Sequence, residues 1–451
     1  MNVNYSKDSP SLMRRNMLKE ILKDKTNVIV VSDFDGTISK KDISYTLLEK
    51  FTKGDWSDID KEYIKGNIGS KEAFSRILQK INATKSELLD YIEEVSSVDP
   101  HFSDFYNYLK GLGIELVIAS DGFKMYIDKL MENIGLSEIP VYANDIVEDD
   151  AGELMAIFPH HNEECGRCGT CKTNLIKSLL KKHDYVIFIG DGYSDSCASP
   201  HPHKLFATGF LFTHAANEKI PCTYFEDFND IQNEFEKEIK GVIFDLDETL
   251  VESLESIRTA FFYTIEKLKL DIDAEHAFEE MMHWPLAESF EKLFPDVDLN
   301  EVVKTFREKY YSIYLDMTTV KEGIFEILDG LKNLGVKLTI ATNKKGSYAR
   351  KLVEHLKLSD YFIKVIGTGD IEKPKPSPDM IEEALLQMGT EKNETILVGD
   401  SWIDIETGKN AGIDVYSLAQ SLDTPQMLAE YKSRKMFYTT AELLKEFMSI
   451  I

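Results

Sequence analysis

Six short apolar runs, rich in β-branched residues, divide the chain, and each ends in Asp, Ser or Thr before a turn. The runs and their endings are VIVVSDFDGT (28–37), ELVIASDG (115–122), YVIFIGDGYSD (185–195), GVIFDLDETL (241–250), KLTIATNK (337–344) and TILVGDSWID (395–404). Continuous rather than alternating apolar residues are typical of strands covered on both faces of a parallel sheet. Patterns with helical spacing lie between the runs, so the alternation predicts an α/β fold with an open sheet.

The order of these runs indicates a tandem duplication. The first three correspond in turn to the last three: Asp33 and Asp245 are 212 residues apart, Ser120 and Thr342 222, and Asp191 and Asp400 209. An acidic helical pattern, FEDFNDIQNEFEKEIK, lies between the two sets. We therefore predict two homologous domains at 28–239 and 240–451, preceded by an N-terminal arm at 1–27.

Each predicted domain carries a helix-rich insertion between its first and second runs, at about 43–98 and about 254–319. Neither insertion shows the alternation of a strand. Ligands of open α/β sheets bind beyond the carboxyl ends of the strands. We therefore predict that both insertions are helical caps that cover the site and select the substrate.

Two pairs of aspartates follow the first and third runs of the first domain. They are Asp33 with Asp35, and Asp191 with Asp195. A carboxylate at a strand end can attack phosphorus, which we assign to Asp33. Asp35, on the next turn, can protonate the leaving oxygen and then activate water. Because four converging carboxylates repel one another, we expect all four to share one Mg²⁺ ion, which prefers oxygen ligands.

Polar and basic side chains complete this predicted site. Ser120 can donate its hydroxyl to a phosphate oxygen, and the turn through Gly122 offers backbone N–H groups. A lysine should neutralise the charge that develops on the phosphoryl group. Lys172, which opens the helical pattern before the third run, is the candidate, and Lys177 is the alternative.

The second predicted domain repeats this set of residues. Asp245 is the candidate nucleophile, Asp247 the acid/base and Thr342 the hydroxyl donor. Within EKPKPSP, Lys373 is the candidate cation and Lys375 the alternative. The aspartates predicted to hold a second Mg²⁺ ion are Asp245, Asp247, Asp400 and Asp404.

Four motifs, in the same order in both halves, resemble the haloacid dehalogenase superfamily of Asp-x-Asp phosphohydrolases. They are SDFDGT, Ser120, Lys172 and GDGYSD, then FDLDET, Thr342, EKPKP and GDSWID. One Asp-x-Asp pair would be weak evidence, whereas four ordered motifs repeated twice are specific. The resemblance covers nearly the whole chain after the arm. It implies two Rossmann-like core domains with helical caps, a Mg²⁺ ion in each, and transfer of phosphoryl to the first aspartate.

Finer resemblances separate the halves. VSDFDGTIS, SDGF, CGRCGTCK and GDGYSD resemble the branch of phosphoserine phosphatase, 2-hydroxy-3-keto-5-methylthiopentenyl-1-phosphate phosphatase and the phosphoethanolamine/phosphocholine phosphatases. FDLDETL, IATNK, EKPKPSPDMI and VGDSWIDIETGKNAGI resemble phosphoglycolate phosphatase, pyrophosphatases and sugar phosphomutases. One departure is Glu248, where many relatives have glycine, because a further carboxylate there could alter metal affinity.

These observations predict a Mg²⁺-dependent phosphatase of small phosphorylated metabolites in both halves. Two alternatives stay open: one half transfers phosphoryl to another hydroxyl, as a sugar phosphomutase does, or one half binds a phosphorylated ligand without turnover. The substrates and the oligomeric state are not set by the sequence.

The composition argues against some classes of binding partner. The net charge of −26 argues against a nucleic-acid backbone or an anionic membrane as partner. No apolar run has the length of a membrane span, and the N-terminus lacks the apolar core of a secretory signal. Few and unevenly spaced cysteines indicate a reducing compartment, so we expect a cytoplasmic protein.

Cys165, Cys168 and Cys171 form a Cys-x2-Cys-x2-Cys cluster just before Lys172. One interpretation is a structural zinc site that includes one of the two histidines before it. The other, which we favour, is a reduced glycine-rich loop that leads to the catalytic lysine, since short motif matches often occur without a ligand.

Overall fold

The computed structural model describes residues 27–450, except 53, 150–152, 283–285, 296 and 421–422. The predicted N-terminal arm therefore lies outside the described residues, apart from Asn27.

The first half alternates strands and helices after an initial strand. Its strands are β1 (Val28–Ser32), β2 (Glu115–Phe123), β3 (Val141–Glu148), β4 (Leu154–Ile157), β5 (Tyr185–Gly190), β6 (Lys204–Ala207) and β7 (Thr223–Tyr224). Its helices are α1 (Ile43–Phe51), α2 (Ser57–Ile64), α3 (Ser70–Leu78), α4 (Lys85–Val95), α5 (Phe102–Gly111), α6 (Lys124–Asn133), α7 (Lys172–Leu179), α8 (Gly209–Asn217) and α9 (Phe228–Glu236). Helices α1 to α5 lie between the first two strands, and α1 to α4 form the inserted helical segment.

The second half follows the same plan. Its strands are β8 (Gly241–Phe244), β9 (Val251–Glu252), β10 (Thr319–Val320), β11 (Lys337–Lys345), β12 (Lys364–Thr368), β13 (Thr395–Gly399), β14 (Asp414–Leu418) and β15 (Lys435–Phe437). Its helices are α10 (Leu254–Leu268), α11 (Ala274–Met282), α12 (Leu286–Leu293), α13 (Leu299–Met317), α14 (Ile324–Asn333), α15 (Gly346–His355), α16 (Asp379–Met388), α17 (Trp402–Ala411), α18 (Pro425–Glu430) and α19 (Thr440–Ile450).

Thirteen of the described strands form one sheet, in the order β12-β11-β8-β13-β14-β15-β7-β6-β5-β1-β2-β3-β4. Neighbours within each half are parallel, except for the antiparallel edge pair β3 and β4. This confirms the predicted α/β fold with parallel sheets. The halves join where β15 pairs with β7 in antiparallel fashion, so the two parallel sets run in opposite directions.

Burial on both faces explains the continuous apolar runs. In β1, Val28 and Val30 face one apolar core cluster, whereas Ile29 and Val31 face the other. All four side chains are buried. Each cluster also contains residues of the second half, so both cores extend across the joined sheet. Packing of this extent favours a single unit over two loosely tethered domains.

A buried ion cluster lies beside the junction of the two halves. Lys435 of β15 contacts the carboxylates of Glu234 in α9 and Glu446 in α19. Arg434 donates to the backbone oxygens of Tyr224 and Asp230, each at 2.7 Å. Removing one partner of a buried pair leaves an uncompensated charge, so these contacts tie the halves together.

Candidate active sites

The first candidate site begins at the carboxyl end of β1. The backbone N–H of Asp33 continues the sheet pairing by donating to Ile189 of β5 at 2.8 Å. This bond fixes the aspartate at the strand end, where its carboxylate meets Lys172 at the start of α7. Lys172 Nζ lies 2.7 Å from Asp33 Oδ1 and 2.5 Å from Asp195 Oδ1.

Buried carboxylates determine the charge of this site. Burial and the neighbouring charge of Asp195 raise the pKa of Asp33 well above its ordinary value, although Lys172 opposes the shift. Burial and Asp195 likewise raise the pKa of Asp191 to about 7. For Lys172, burial lowers the pKa, but the Asp195 and Asp33 carboxylates outweigh it, so the ammonium form is favoured. The single positive charge of Lys172 therefore offsets only part of the negative charge of these carboxylates.

Asp35 lies in a different environment from Asp33. It accepts from the backbone N–H of Ile43 at 2.9 Å, from the Tyr126 hydroxyl at 2.5 Å and from Ser120 Oγ at 3.3 Å. Burial, followed by the charge of Asp42, raises the pKa of Asp35 to about 7. A carboxyl group with this pKa can both give and take a proton near neutral pH.

A cavity of about 320 Å³ connects these aspartates to the helices of residues 43–95. Its polar end includes Asp33 and Ser120, and its other walls include Tyr45, Trp56 and Phe74. The edge of the sheet that carries these aspartates and the helical segment thus face one another across a single space. This arrangement suits a phosphate bound at the strand ends with the rest of the substrate among the helices.

The second candidate site repeats the lysine bridge. Lys375 Nζ lies 2.6 Å from Asp245 Oδ1 and 2.6 Å from Asp404 Oδ1, and its side chain is 3% exposed. Burial raises the pKa of Asp245 to about 7, although Lys375 opposes the shift. Asn343 fixes the lysine backbone, accepting from the Lys375 N–H at 3.0 Å and donating to its carbonyl at 3.1 Å.

The prediction that Lys373 supplies the cation is corrected by this geometry. Lys373 is exposed, and its backbone N–H donates to Asp379 at 3.3 Å. The alternative, Lys375, follows Pro374 and lies against the aspartates. In a segment as irregular as EKPKPSP, side-chain direction has no fixed period, so the sequence could not choose between the two lysines.

Asp247 differs most from its counterpart in the first half. Lys344 Nζ, from the end of β11, contacts both Asp247 oxygens at 2.7 and 2.8 Å and the Tyr310 hydroxyl of α13 at 2.6 Å. Burial lowers the pKa of Lys344, but Asp247 outweighs it and raises the value overall. A cation therefore occupies the place that hydroxyl groups occupy around Asp35.

Each half gathers three carboxylates closely enough to hold a metal ion. Oxygen atoms of Asp33, Asp191 and Asp195 lie within 4.8 Å of one another, as do those of Asp245, Asp400 and Asp404. The Asp35 and Asp247 carboxylates, which we also predicted as ligands, belong to neither group and have the partners described above. Buried, oxygen-only groups of this kind fit a hard cation such as Mg²⁺.

The hydroxyl residues lie at the tips of the second strands, beside the second aspartates. Ser120 Oγ accepts the Gly122 N–H at 2.9 Å, and Thr342 Oγ1 accepts the Lys344 N–H at 3.1 Å. Both side chains are buried, at 1% exposure. The two halves therefore share this local hydrogen bond, from the backbone N–H two residues after the hydroxyl residue.

Three contact residues were not found from the sequence: Tyr126, Tyr310 and Lys344. The tyrosines belong to helices α6 and α13, where an aromatic residue is more often part of a core. Lys344 could have been found from the sequence, because it ends the KLTIATNK run two residues after Thr342.

Glu248 does not add a carboxylate to the second site. It has a left-handed φ of 57°, as Gly36 has in the first half at 77°. Its carboxylate accepts the backbone N–H groups of Ser253 and Leu254 at 2.7 and 2.8 Å. Glu248 therefore caps the start of α10.

The zinc interpretation of Cys165, Cys168 and Cys171 gains no support from the structure. Within the described residues, the groups of three metal-binding atoms that converge are the two carboxylate sets. All five cysteines are unpaired thiols.

Both halves of the chain match known protein families. Residues 28–208 match the family described as Putative Phosphatase, and residues 242–418 match the family described as Haloacid dehalogenase-like hydrolase. A stretch of 176 residues is 35% identical to pyrophosphatase PpaX of Halalkalibacterium halodurans, covering 39% of this chain and 81% of that protein. The chain belongs to the haloacid dehalogenase-like hydrolases. This haloacid dehalogenase-like chain is a phosphatase, and each half contains one haloacid dehalogenase-like domain, as the motifs predicted.

The chain is also similar to two other known proteins. The chain is 27% identical over 208 residues to 2-hydroxy-3-keto-5-methylthiopentenyl-1-phosphate phosphatase of Brevibacillus brevis, covering 45% of this chain and 93% of that protein. A haloacid dehalogenase-like hydrolase structure from Streptococcus pneumoniae is 25% identical, with a TM-score of 0.43, covering 46% of this chain and 98% of that one. Among the described residues, no helix is both long and apolar enough to cross a membrane.

Proposed function

We propose that each half of this phosphatase hydrolyses phosphomonoesters of small metabolites through an aspartyl-phosphate, with Mg²⁺ as cofactor. The halves are 28–239 and 240–451, and the helices of 43–98 and 254–319 act as their caps. The observation that supports this most directly is the lysine bridge at each strand end, Lys172 to Asp33 and Lys375 to Asp245.

The reaction in the first half starts at Asp33. Its carboxylate oxygen attacks phosphorus, and the bond from phosphorus to the ester oxygen breaks. Asp35, whose pKa is raised to about 7, gives its proton to that leaving oxygen. The Asp35 carboxylate then takes a proton from water, which attacks phosphorus and releases phosphate from Asp33.

Other residues of this chain hold the reacting groups. Lys172 positions the Asp33 carboxylate and offsets charge on the phosphoryl oxygens. Ser120 donates its hydroxyl to one of those oxygens. Asp33, Asp191 and Asp195 would hold the Mg²⁺ ion, which supplies charge neutralisation when bound.

The second half uses the corresponding residues. Asp245 is the nucleophile, Asp247 the acid/base and Thr342 the hydroxyl donor, while Lys375 takes the role of Lys172. Its Mg²⁺ ion would lie among Asp245, Asp400 and Asp404.

The test uses the full chain and a panel of phosphomonoesters with Mg²⁺. Asp33→Asn and Asp245→Asn, made singly, should each lower phosphate release from one subset of substrates by about 10³-fold or more. Asp128→Asn, at an exposed aspartate paired with Lys124, is the matched control and should change neither subset. Borohydride reduction of quenched reactions should convert the phosphorylated aspartates to homoserine.

Three results would contradict the proposal. One is the absence of phosphate release from any ester with Mg²⁺. Another is the loss of activity toward all substrates in a single variant, which would mean that one half has no activity of its own. The third is phosphate that stays organic in a labelling experiment, which would indicate a transferase.

A further inference from the structure

Cys165 and Cys168 are two thiols placed close enough to react with one another. Their sulfur atoms are 3.7 Å apart, separated along the chain by Gly166 and Arg167. Both side chains are partly exposed, so a small molecule can reach them. Nothing in the proposed phosphatase reaction uses these thiols.

The segment between the two cysteines holds the cap of the first site. Arg167 Nη2 donates to the backbone oxygens of Gly66 at 2.7 Å and Ile68 at 3.2 Å. In return, the Arg167 carbonyl accepts the backbone N–H of Lys71 at 3.1 Å. These bonds reach the connection between α2 and α3 and the first turn of α3.

Close backbone packing makes this contact sensitive to small displacements. A Cβ atom at Gly69 would lie 2.1 Å from the Arg167 carbonyl oxygen, so only glycine fits there. Two residues after Arg167, the Gly169 N–H donates to Ser70 Oγ at 3.0 Å. The loop and the cap therefore share an interface without spare room.

The same loop continues directly into the catalytic lysine. The Thr170 N–H donates to Asp121 Oδ1 at 2.8 Å, next to Ser120. Cys171 donates its N–H to the His160 carbonyl at 3.0 Å, and Lys172 follows as the first residue of α7. Cys168 is therefore four residues before Lys172, whose side chain contacts Asp33.

We propose that Cys165 and Cys168 form a redox-modification site, where hydrogen peroxide joins their sulfurs in a disulfide that displaces the loop from the cap. The Cys165 thiolate attacks one peroxide oxygen, giving a sulfenic acid and releasing hydroxide. The Cys168 sulfur then attacks the Cys165 sulfur, loses its proton, and displaces water. Two thiols are oxidised to one disulfide, and one peroxide is reduced to two waters.

The electrostatics agree with Cys165 as the first to react. Burial acts to raise its pKa, but N–H groups of Cys168 and Arg167 outweigh this and lower the pKa overall. Burial and the charge of Asp121 raise the pKa of Cys168. The thiolate, which is the reactive form, is therefore favoured at Cys165.

Bond formation requires the two sulfur atoms to move. A disulfide has sulfurs about 2.0 Å apart, so these two must approach by roughly 1.7 Å. Arg167 lies between the two cysteines in the chain, and the proposal requires that this approach disturbs its contacts with the cap. The effect on activity rests on the proposed function of the first site, whereas the formation of the disulfide does not.

The first experiment detects the bond itself. The reduced full chain is treated with hydrogen peroxide, its remaining thiols are alkylated, and its peptides are analysed by mass spectrometry. We expect a disulfide between Cys165 and Cys168, and none in Cys165→Ser or Cys168→Ser. Cys197→Ser, at an exposed cysteine elsewhere, is the matched control and should form the bond normally. The absence of the bond in a chain whose Cys197 has been oxidised would overturn the proposal.

The second experiment measures what the bond does. It uses the Asp245→Asn chain, in which the second site is silenced. Peroxide should lower kcat/KM for first-site substrates about tenfold, since small misplacements of reacting groups have large effects. Dithiothreitol should restore it, and the Cys165→Ser chain should be insensitive. A disulfide with unchanged kcat/KM would overturn the displacement of the cap. No activity even in the reduced chain would instead count against the proposed function, while the disulfide result would stand.

Discussion

The two candidate sites share one framework and differ at the second aspartate. In both halves a buried lysine bridges the first aspartate and the last one, Lys172 in the first and Lys375 in the second. Around Asp35 the partners are neutral donors, including Tyr126. Around Asp247 the partner is the ammonium group of Lys344, which a cap tyrosine also contacts.

The two sites therefore agree at the first aspartate and its lysine, and they differ in what has to move before the second aspartate is free. Asp33 with Lys172 and Asp245 with Lys375 are arranged alike, so the attack on phosphorus that we propose would be the same in both halves. In the reaction that we propose for the second half, however, Lys344 has to change its partner before Asp247 can donate a proton. A substrate with an additional anionic group could take over Lys344 and release Asp247, whereas the first site needs no such exchange.

The largest expected effect tests the shared framework. Lys375→Met should lower kcat/KM at the second site by about 10³-fold, because Asp245 and Asp404 lose the cation between them. First-site substrates should be unaffected in the same preparation. Lys373→Met, in the same loop but exposed, is the matched control and should stay within about twofold. Equal losses in both variants would show that the two frameworks are not equivalent.

The next effect tests whether the two sites belong to one folding unit. Lys435→Met leaves Glu234 and Glu446 without their shared cation, which should destabilise the chain by about 3 kcal/mol. Denaturant unfolding should show one transition, and both activities should disappear together. Lys432→Met removes a 3.5 Å contact to Glu226 that is half exposed, and it should cost under about 1 kcal/mol. Two separate transitions in the parent chain would contradict the single unit.

Acid should weaken this junction in a defined direction. Burial acts to raise the pKa of Glu234 and Glu446, but nearby cations outweigh it and lower both values. Their contribution is therefore present above the unfolded pKa, about 4.3, and is lost as the pH falls below it. The stability difference between the parent chain and Lys435→Met should shrink as the pH falls from about 6 to about 3. A constant difference would assign the effect to packing alone.

The smallest effect tests the contrast at the second aspartate. Lys344→Met should lower kcat/KM about tenfold for second-site substrates and leave first-site substrates unchanged, because it removes one charge-assisted contact. Lys345→Met, at the exposed neighbouring lysine, is the matched control and should have no effect. If Lys344 instead only shields Asp247, kcat should rise while KM stays constant, and our view of Lys344 as a contact for substrate would be wrong.

Much of the fold could be predicted because it follows from local patterns. Continuous apolar runs such as Val28–Ser32 have few explanations other than a strand covered on both faces. Polar residues at the ends of these runs, including Asp33 and Asp191, had to meet once the strands were parallel. Helical spacing likewise predicted helices between the strands.

The rest depended on contacts that have no local pattern. The choice between Lys373 and Lys375 follows from the path of one loop, and the role of Tyr126 follows from how α6 packs on the site. Joining of the sheets rests on β7 and β15, which contain only Thr223–Tyr224 and Lys435–Phe437. Strands this short carry too few residues for a periodic signal.

The antiparallel pairing of β7 with β15 has a consequence for the traffic of metabolites. Reactants enter an α/β sheet at the carboxyl ends of its strands, and at the β15–β7 junction these ends lie at opposite edges of the sheet. The two candidate sites begin at β1 and β8, with six strands between them in the sheet order. We therefore expect each half to take up and release its own metabolites through solvent, without direct transfer from one site to the other.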